Sequence, residues 1–297
     1  MLSINTNAAS MAAVDAINNS NSSLATSMER LATGNRINSS ADDAAGKQIA
    51  NRLQAQSNGM NQAMRNVSDA TAMLQTADGT FDEMNDILGR MQDLATQAAN
   101  GTYSDDDRAA MQSEFDELGQ QMSDMMQNTT YGGTNLFSGS GGLFSGGSVS
   151  FQVGASSSDT MTVDISNQLS SLTTSLEGLS AAFSNDQSAS GASTASGGSE
   201  LMTASSANAT ISAVQDTMAQ VGRIQSSLGA SINRLNDTAA NLQNMKDNTD
   251  AAVGNIMDTD YATEASNMTK QQVLMQTGIS MLKQSNSMSS MVSSLLQ

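Results

Sequence analysis

Carboxylates are the only abundant groups in this chain with which chemistry could be done. The sequence holds 29 Asp and Glu against 12 Lys and Arg, with no His and no Cys. Without imidazole, the commonest general base, nucleophile partner and metal ligand are missing together. Without thiolates there is no disulfide framework, and zinc lacks its usual ligands. The densest acidic group is Asp105-Asp106-Asp107. It follows Ser104 and precedes an apolar stripe at helical spacing, where capping side chains and first-turn acids satisfy free N–H groups and complement the helix dipole. The oxygen spacing of a calcium-binding EF-hand loop does not follow it. Asp258 and Asp260 read in the same way, as capping or solvated groups. Neither a G-x-x-x-x-G-K phosphate loop nor a G-x-G-x-x-G fingerprint occurs. The sequence therefore predicts no catalytic residue, no cofactor site and no metal ligand, and the chain does not read as an enzyme.

The formal net charge of −17 argues against nucleic acid, because phosphate binding needs clustered Lys and Arg. The opening stretch MLSINTNAASMAAVDAINNS has neither a basic start nor a continuous apolar run, and no window reaches the roughly 18 apolar residues of a membrane span. We expect no membrane insertion and no general secretory signal, so export would need another route.

The elements that position these groups are predicted to be helices. With 22 Met, 6 Phe, 3 Tyr, no Trp and no Pro, apolar contacts must come mostly from Ala, Leu, Ile, Val and Met, a palette suited to helices packed side by side. Met60, Ala63, Val67, Ala70, Leu74, Ala77, Phe81, Met84, Leu88, Met91, Ala95 and Ala98 alternate steps of three and four, the coiled-coil period. This predicts a helix from about 45 to 99. A second helix should start after Ser104, with Met111, Phe115, Leu118, Met122 and Met125 on one face, antiparallel to the first because the loop is short. Val149, Phe151 and Val153, then Met161, Val163 and Ile165, alternate as a β-hairpin. Residues 166–199, rich in Ser, Thr, Ala and Gly, read as an exposed and variable surface segment with a short helical piece around 172–183. Ile211, Val214, Met218, Val221, Leu228, Ile232, Leu235, Ala239 and Leu242 predict a third long helix covering the seam of the first. The expected fold is mainly α: a long antiparallel helical bundle built from the N- and C-terminal halves, with a small β-hairpin region in the middle.

The two ends share a peculiarity. Residues 1–28 carry one charged side chain, Asp15, and residues 271–297 carry one, Lys283. Both still show helical apolar stripes: Ile17, Leu24, Met28 and Leu31 at one end, and Leu274, Met281, Met288 and Leu295 at spacings of seven at the other. A lone helix with an apolar stripe and an uncharged outer face is marginal in water. Pairing the two ends covers one face of each, and further copies of the chain are expected to cover the rest. The ends should then be mobile in a monomer and ordered in a polymer. Between the stripes of the first two helices lies LATGNRINSSADDAAG at 31–46, whose poor helix formers mark a break. There Arg36 can pair with a carboxylate, and Asn38, Ser39, Ser40 and Asp42 can cap the helix that follows.

Taken in order, these residues resemble bacterial flagellin. SINTNAAS at 3–10, SMERLATGNRINSSADDAAGKQIANRL at 27–53 and QTADGTFDEMNDILGRMQDLATQAANGT at 75–102 fit the family's pattern. So do LGASINRLND at 228–237, MDTDYATEASNMTKQQVLMQTGISML at 257–282 and the closing SLLQ. The resemblance implies a structural role: a subunit that polymerises into the helical flagellar filament, secreted through the flagellar type III apparatus to the cell exterior. It implies an inner domain of terminal helices (1–40 with 255–297) and a helical wall domain (41–165 with 200–254). A spoke at 31–46, including Gly34, Arg36, Asp42 and Asp43, would join them, fixed in the filament and disordered in the monomer. It also implies partners: an export chaperone, filament cap and hook-junction proteins, and the host Toll-like receptor that senses flagellin. For that receptor the family pattern falls on Arg90, Leu94 and Glu114, with Arg90 and Leu94 presented outward in a monomer. The nearest alternatives are a hook–filament junction protein, which diverges where 75–102 matches here, and a chemoreceptor-like coiled-coil fragment, which would need a membrane span or sensor.

Overall fold

A computed structural model describes residues 8–138, 141–183 and 198–295. The side chains of 289–290 and 292–295 lie outside the described residues, and with them that of Leu295. Among the described residues six helices and four short strands follow in the order α1 (Ala8–Thr33), α2 (Ala44–Ala98), α3 (Asp105–Asn128), β1 (Thr130–Tyr131), β2 (Thr134–Asn135), β3 (Val149–Gln152), β4 (Thr160–Val163), α4 (Ser166–Leu179), α5 (Ala204–Met257) and α6 (Tyr261–Leu295). The mainly α fold expected from the stripes is the fold observed. The chain divides into two compact units, one of Met1–Asn58 with Lys246–Gln297 and the other of Gly59–Met245.

The Gly59–Met245 unit holds one contiguous apolar core. Every residue of the predicted α2 stripe from Met60 to Ala98 is buried. It meets Phe115, Met122 and Met126 of α3 and Val214, Val221, Ile224, Leu228 and Leu235 of α5, all fully buried. The face of α3 is turned slightly from its expected setting: Met126 is buried while Leu118 and Met125 are only half-buried. Side-chain amides stitch the α2 and α5 flanks, Asn85 donating to Gln225 at 3.0 Å and Gln225 to Asp82 at 2.6 Å. β3 and β4 form the expected antiparallel hairpin, with Val149 opposite Val163 and Phe151 opposite Met161.

The acidic triplet does what a helix start requires. Ser104 Oγ accepts from the Asp107 N–H at 3.2 Å, and the Asp107 carboxylate accepts from the Ser104 N–H at 3.0 Å, a reciprocal capping box. Hydrogen bonds from the Ser104 hydroxyl and N–H hold the Asp107 carboxyl below the ordinary carboxylate range.

The 166–199 segment differs from its expected form. Residues 166–179 are a regular helix, α4, that sends Leu169, Leu172, Leu176 and Leu179 into the core, and Phe183 follows them there. The Ser and Thr residues that suggested an exposed segment occupy its outer face, where Ser171 and Ser175 donate to the carbonyls one turn back. Where description resumes, Glu200 accepts from Gln112 Nε2 at 2.8 Å and from the Ala181 N–H at 3.0 Å, tying Glu200 to α3 and to the end of α4. Residues 184–197 of the expected segment lie outside the described residues.

Candidate functional site

In the Met1–Asn58 and Lys246–Gln297 unit, α1 and α6 pair antiparallel. Ser10 donates to Asn286 at 3.0 Å near one end, and Arg30 stands 3.9 Å from Glu264 near the other. Arg30 lies in the last turn of α1 and the buried Glu264 in the first turn of α6, so each also complements its own helix dipole. The covered positions of α6 through residue 288 are Glu264, Met268, Gln271, Met275, Gly278, Leu282 and Ser285, at alternating steps of four and three. On α1 the matching seam runs Ser10, Ala13, Ile17, Ser20, Leu24, Ser27 and Leu31. This is coiled-coil spacing, but with small and polar residues at half its places. Close approach is enforced at Gly278, where an added Cβ would lie 2.7 Å from Ile17 Cγ1.

The predicted assembly residues divide between seam and surface. Ile17, Leu24 and Leu31 lie in the seam, while Met28, Leu274, Met281 and Met288 are exposed. The seven-residue spacing of Leu274, Met281 and Met288 is therefore not the pairing stripe. Leu274 and Met281 each stand one residue, about 100°, ahead of the seam positions Met275 and Leu282. Met281 is 63% exposed, Val273 55% and Leu274 46%, and Met11, Val14 and Ile279 are exposed as well. An open depression on the outside of α6 is lined by Ala265, Thr269, Lys270, Val273 and Leu274. Apolar side chains this exposed, on helices almost without charge, form a surface that water solvates poorly.

The connector between α1 and α2 is tied down by hydrogen bonds within a single chain. Gly34, at φ +75°, ends α1 with its N–H on the Arg30 carbonyl at 2.9 Å, a left-handed cap that favours glycine. The chain then bonds to the residues joining α5 and α6. Thr259 N–H donates to the Gly34 carbonyl at 2.9 Å, Arg36 N–H to the Met257 carbonyl at 2.6 Å, and the Arg36 guanidinium to the Ile256 carbonyl at 2.8 Å. The expected carboxylate partner of Arg36 is thus replaced by a backbone carbonyl. Ile37, buried to 1% exposure, anchors the segment. The helix cap also shifts by one residue. Asp43 Oδ1 accepts from the Gly46 N–H at 2.8 Å and caps α2, whereas Asp42 closes the preceding turn on the N–H groups of Asn38 and Ser39. Those bonds, the Ser39 N–H foremost, hold the Asp42 carboxyl below its ordinary range against some desolvation. Asp260 caps α6 through Thr263 and Ala262, which lowers its carboxyl in the same way.

In the Gly59–Met245 unit, Arg90 and Glu114 form an exposed ion pair at 2.5 Å, Nε adding a second bond to the same oxygen at 2.9 Å. Leu94 does not join them at the surface: it is 2% exposed and belongs to the core, so its expected outward presentation is corrected. Four residues on from Arg90, its side chain turns toward the stripe positions Met91 and Ala95 rather than to solvent. Among the described residues, no group of three or more acids could hold a metal ion, and no helix is long and apolar enough to cross a membrane.

A continuous helical core in one unit, and in the other a pair of helices with exposed apolar side chains and a hydrogen-bonded connector, describe a helical framework class of protein. Residues 4–141 match the bacterial flagellin N-terminal helical region, and residues 211–296 match the bacterial flagellin C-terminal helical region. The chain belongs to the bacterial flagellin family, whose members are structural proteins and not enzymes. It is 47% identical over 139 residues to flagellin A of Vibrio anguillarum, a match covering 47% of this chain and 37% of that one. Over the same length it is 47% identical to the B-type flagellin of Pseudomonas aeruginosa, covering 28% of that protein. The matched stretch thus spans well under half of these relatives. A putative flagellar hook-associated protein from Vibrio parahaemolyticus shares the fold, with a TM-score of 0.53 at 19% identity over 73% of this chain and all of that one.

Proposed function

We propose that this chain is the subunit of a bacterial flagellar filament outside the cell, with α1 and α6 in the inner layer and the Gly59–Met245 unit in the wall. Family membership supports the reading, and one observation carries it: the α1–α6 pair leaves Val273, Leu274, Ile279 and Met281 exposed on nearly uncharged helices. Each such side chain contributes roughly 1.5–3 kcal/mol once buried, so packing against other copies supplies what one chain lacks. The same apolar α6 surface needs a chaperone before export, and filament cap and hook-junction proteins would meet it at the ends of the polymer. Purified monomer added to filament fragments is expected to elongate them, as followed by light scattering and electron microscopy. Deleting residues 1–30 or 270–297 should stop elongation, and normal growth of either truncated chain would refute the inner-layer assignment.

We further infer that the surface around the Arg90–Glu114 pair engages the flagellin-sensing Toll-like receptor in the unassembled subunit, with Leu94 supporting it from beneath. Because an exposed pair adds only about 0–1 kcal/mol to stability, its removal leaves the fold intact. Arg90→Ala and Glu114→Ala monomers are expected to activate a receptor-reporter cell line several-fold less while keeping wild-type thermal stability. Undiminished signalling from both would exclude this surface.

A further inference from the structure

We propose that Met11, Met28, Met281, Met288 and Met291 form a methionine-sulfoxide modification site through which peroxide-class oxidants reversibly block assembly of the free subunit. The proposal rests on the polymerising-subunit reading above. With no Cys, His or Trp in the chain, thioethers are its most readily oxidised side chains. The structure sorts them sharply. Met60, Met84, Met91, Met122 and Met126 are 0–1% exposed in the core, beyond the reach of a dissolved oxidant. Met281 is 63% exposed, Met11 62%, Met291 60%, Met288 57% and Met28 49%, all on the two helices whose uncovered faces other copies would bury.

The reaction is a two-electron oxygen transfer. A sulfur lone pair attacks the peroxide, an S–O bond forms as the O–O bond breaks, and the departing oxygen takes a proton and leaves as water. Sulfur is oxidised and peroxide reduced, with no further reactant. The product is a polar, chiral sulfoxide in place of a flexible apolar group. Burying it against another copy without a hydrogen-bond donor is unfavourable, so the modified subunit stays free. Methionine sulfoxide reductases, drawing two electrons and two protons from a dithiol that becomes a disulfide, restore the thioether and release the oxygen as water, which makes the block reversible. In a filament the same sulfurs are covered, so polymer already built is spared.

Limiting hydrogen peroxide on the monomer, followed by peptide mass spectrometry, should place sulfoxide first on these five residues and leave the core methionines intact. Oxidised monomer should elongate filament fragments at least tenfold more slowly, and methionine sulfoxide reductases of both stereospecificities should restore the rate. Preformed filaments should show the five residues shielded, while Met202, exposed in the other unit, oxidises in free monomer and serves as an internal reference. The Met11→Leu, Met28→Leu, Met281→Leu, Met288→Leu and Met291→Leu variant should elongate and resist peroxide; a Met281→Leu and Met288→Leu pair, with partial resistance, serves if the fivefold variant assembles poorly. Oxidised wild type that elongates normally, or Leu variants as peroxide-sensitive as wild type, would overturn the proposal alone. Untreated wild type that does not elongate would overturn the subunit reading and the proposal with it.

Discussion

A Leu274→Asp, Met281→Asp double variant is expected to remain a folded monomer with wild-type helix content and to lose the ability to extend filament fragments. Both side chains are exposed in the single chain, so a carboxylate there stays hydrated and costs the monomer little beyond a small loss of helix propensity. They stand seven residues apart and therefore share one face, so both charges meet the same neighbouring copy. In an assembled contact each carboxylate would be desolvated with few cations to offset it: α6 offers Lys270, beside Leu274, and Lys283, while residues 1–28 offer only Asp15. Removing two apolar contacts of roughly 1.5–3 kcal/mol each already costs more than 3 kcal/mol, before the cost of burying charge. Since about 1.4 kcal/mol is a factor of ten, the critical concentration should rise at least a hundredfold. Sedimentation of seeded mixtures measures it. An unchanged critical concentration would mean that this face of α6 is not an assembly contact. Leu282→Asp is the contrasting variant: Leu282 lies in the α1–α6 seam, so there the monomer itself should lose helix.

Connector and terminal pair depend on one another physically. Gly34 closes α1 beside the Tyr261 hydroxyl, which an added Cβ would approach to 3.0 Å, and the Gly34 carbonyl receives the Thr259 N–H just before α6 begins. The end of one terminal helix and the start of the other are thus fixed by the same few bonds. The seam has few large apolar residues of its own, so this anchoring, with the Arg30–Glu264 pair, sets its register.

Long apolar periods were fully legible in the sequence. Every member of the Met60–Ala98 stripe is buried because a run of that length, at that period, has one geometric solution. The cap at Asp107 was legible because Ser-x-x-Asp before a stripe is a local signal. What failed was the choice between local options that only tertiary packing decides. Both Met268-Met275-Leu282 and Leu274-Met281-Met288 repeat at seven, and the sequence alone does not say which faces α1. Small seam residues such as Gly278 and Ser285 carry no hydrophobic signal, yet they permit the close approach. Asp42 and Asp43 are equally good caps by type, and the turn around Ser39 takes the first and leaves the second for α2. Leu169, Leu172, Leu176 and Leu179 did have helical spacing, but the surrounding Ser and Thr masked it. Leu94 was misplaced because it borders the stripe, and α2 buries more than a two-position seam where α3, α4 and α5 all contribute to the core.

That multi-sided burial sets the second large effect: Phe81→Ala should destabilise the Gly59–Met245 unit by about 3–5 kcal/mol, the range for emptying a fully buried aromatic site. Phe81 is 0% exposed, and its ring centroid lies 5.1 Å from that of Phe137, which stacks in turn at 6.2 Å on Phe144. The chain has 6 Phe and no Trp, so half of its phenylalanines meet in this one cluster. Phe137 and Phe144 are held in a loop outside regular elements, so they depend on Phe81 as a platform more than α2 depends on them. Met84→Leu, at an equally buried place one turn along, conserves volume and should cost less than about 1.5 kcal/mol. Urea unfolding followed by far-ultraviolet circular dichroism separates the two. If Phe81→Ala were as stable as Met84→Leu, the aromatic cluster would not be what anchors Phe137 and Phe144 to the helices. With the expected loss, the stability of the Gly59–Met245 unit rests on a few rings set into an otherwise aliphatic bundle.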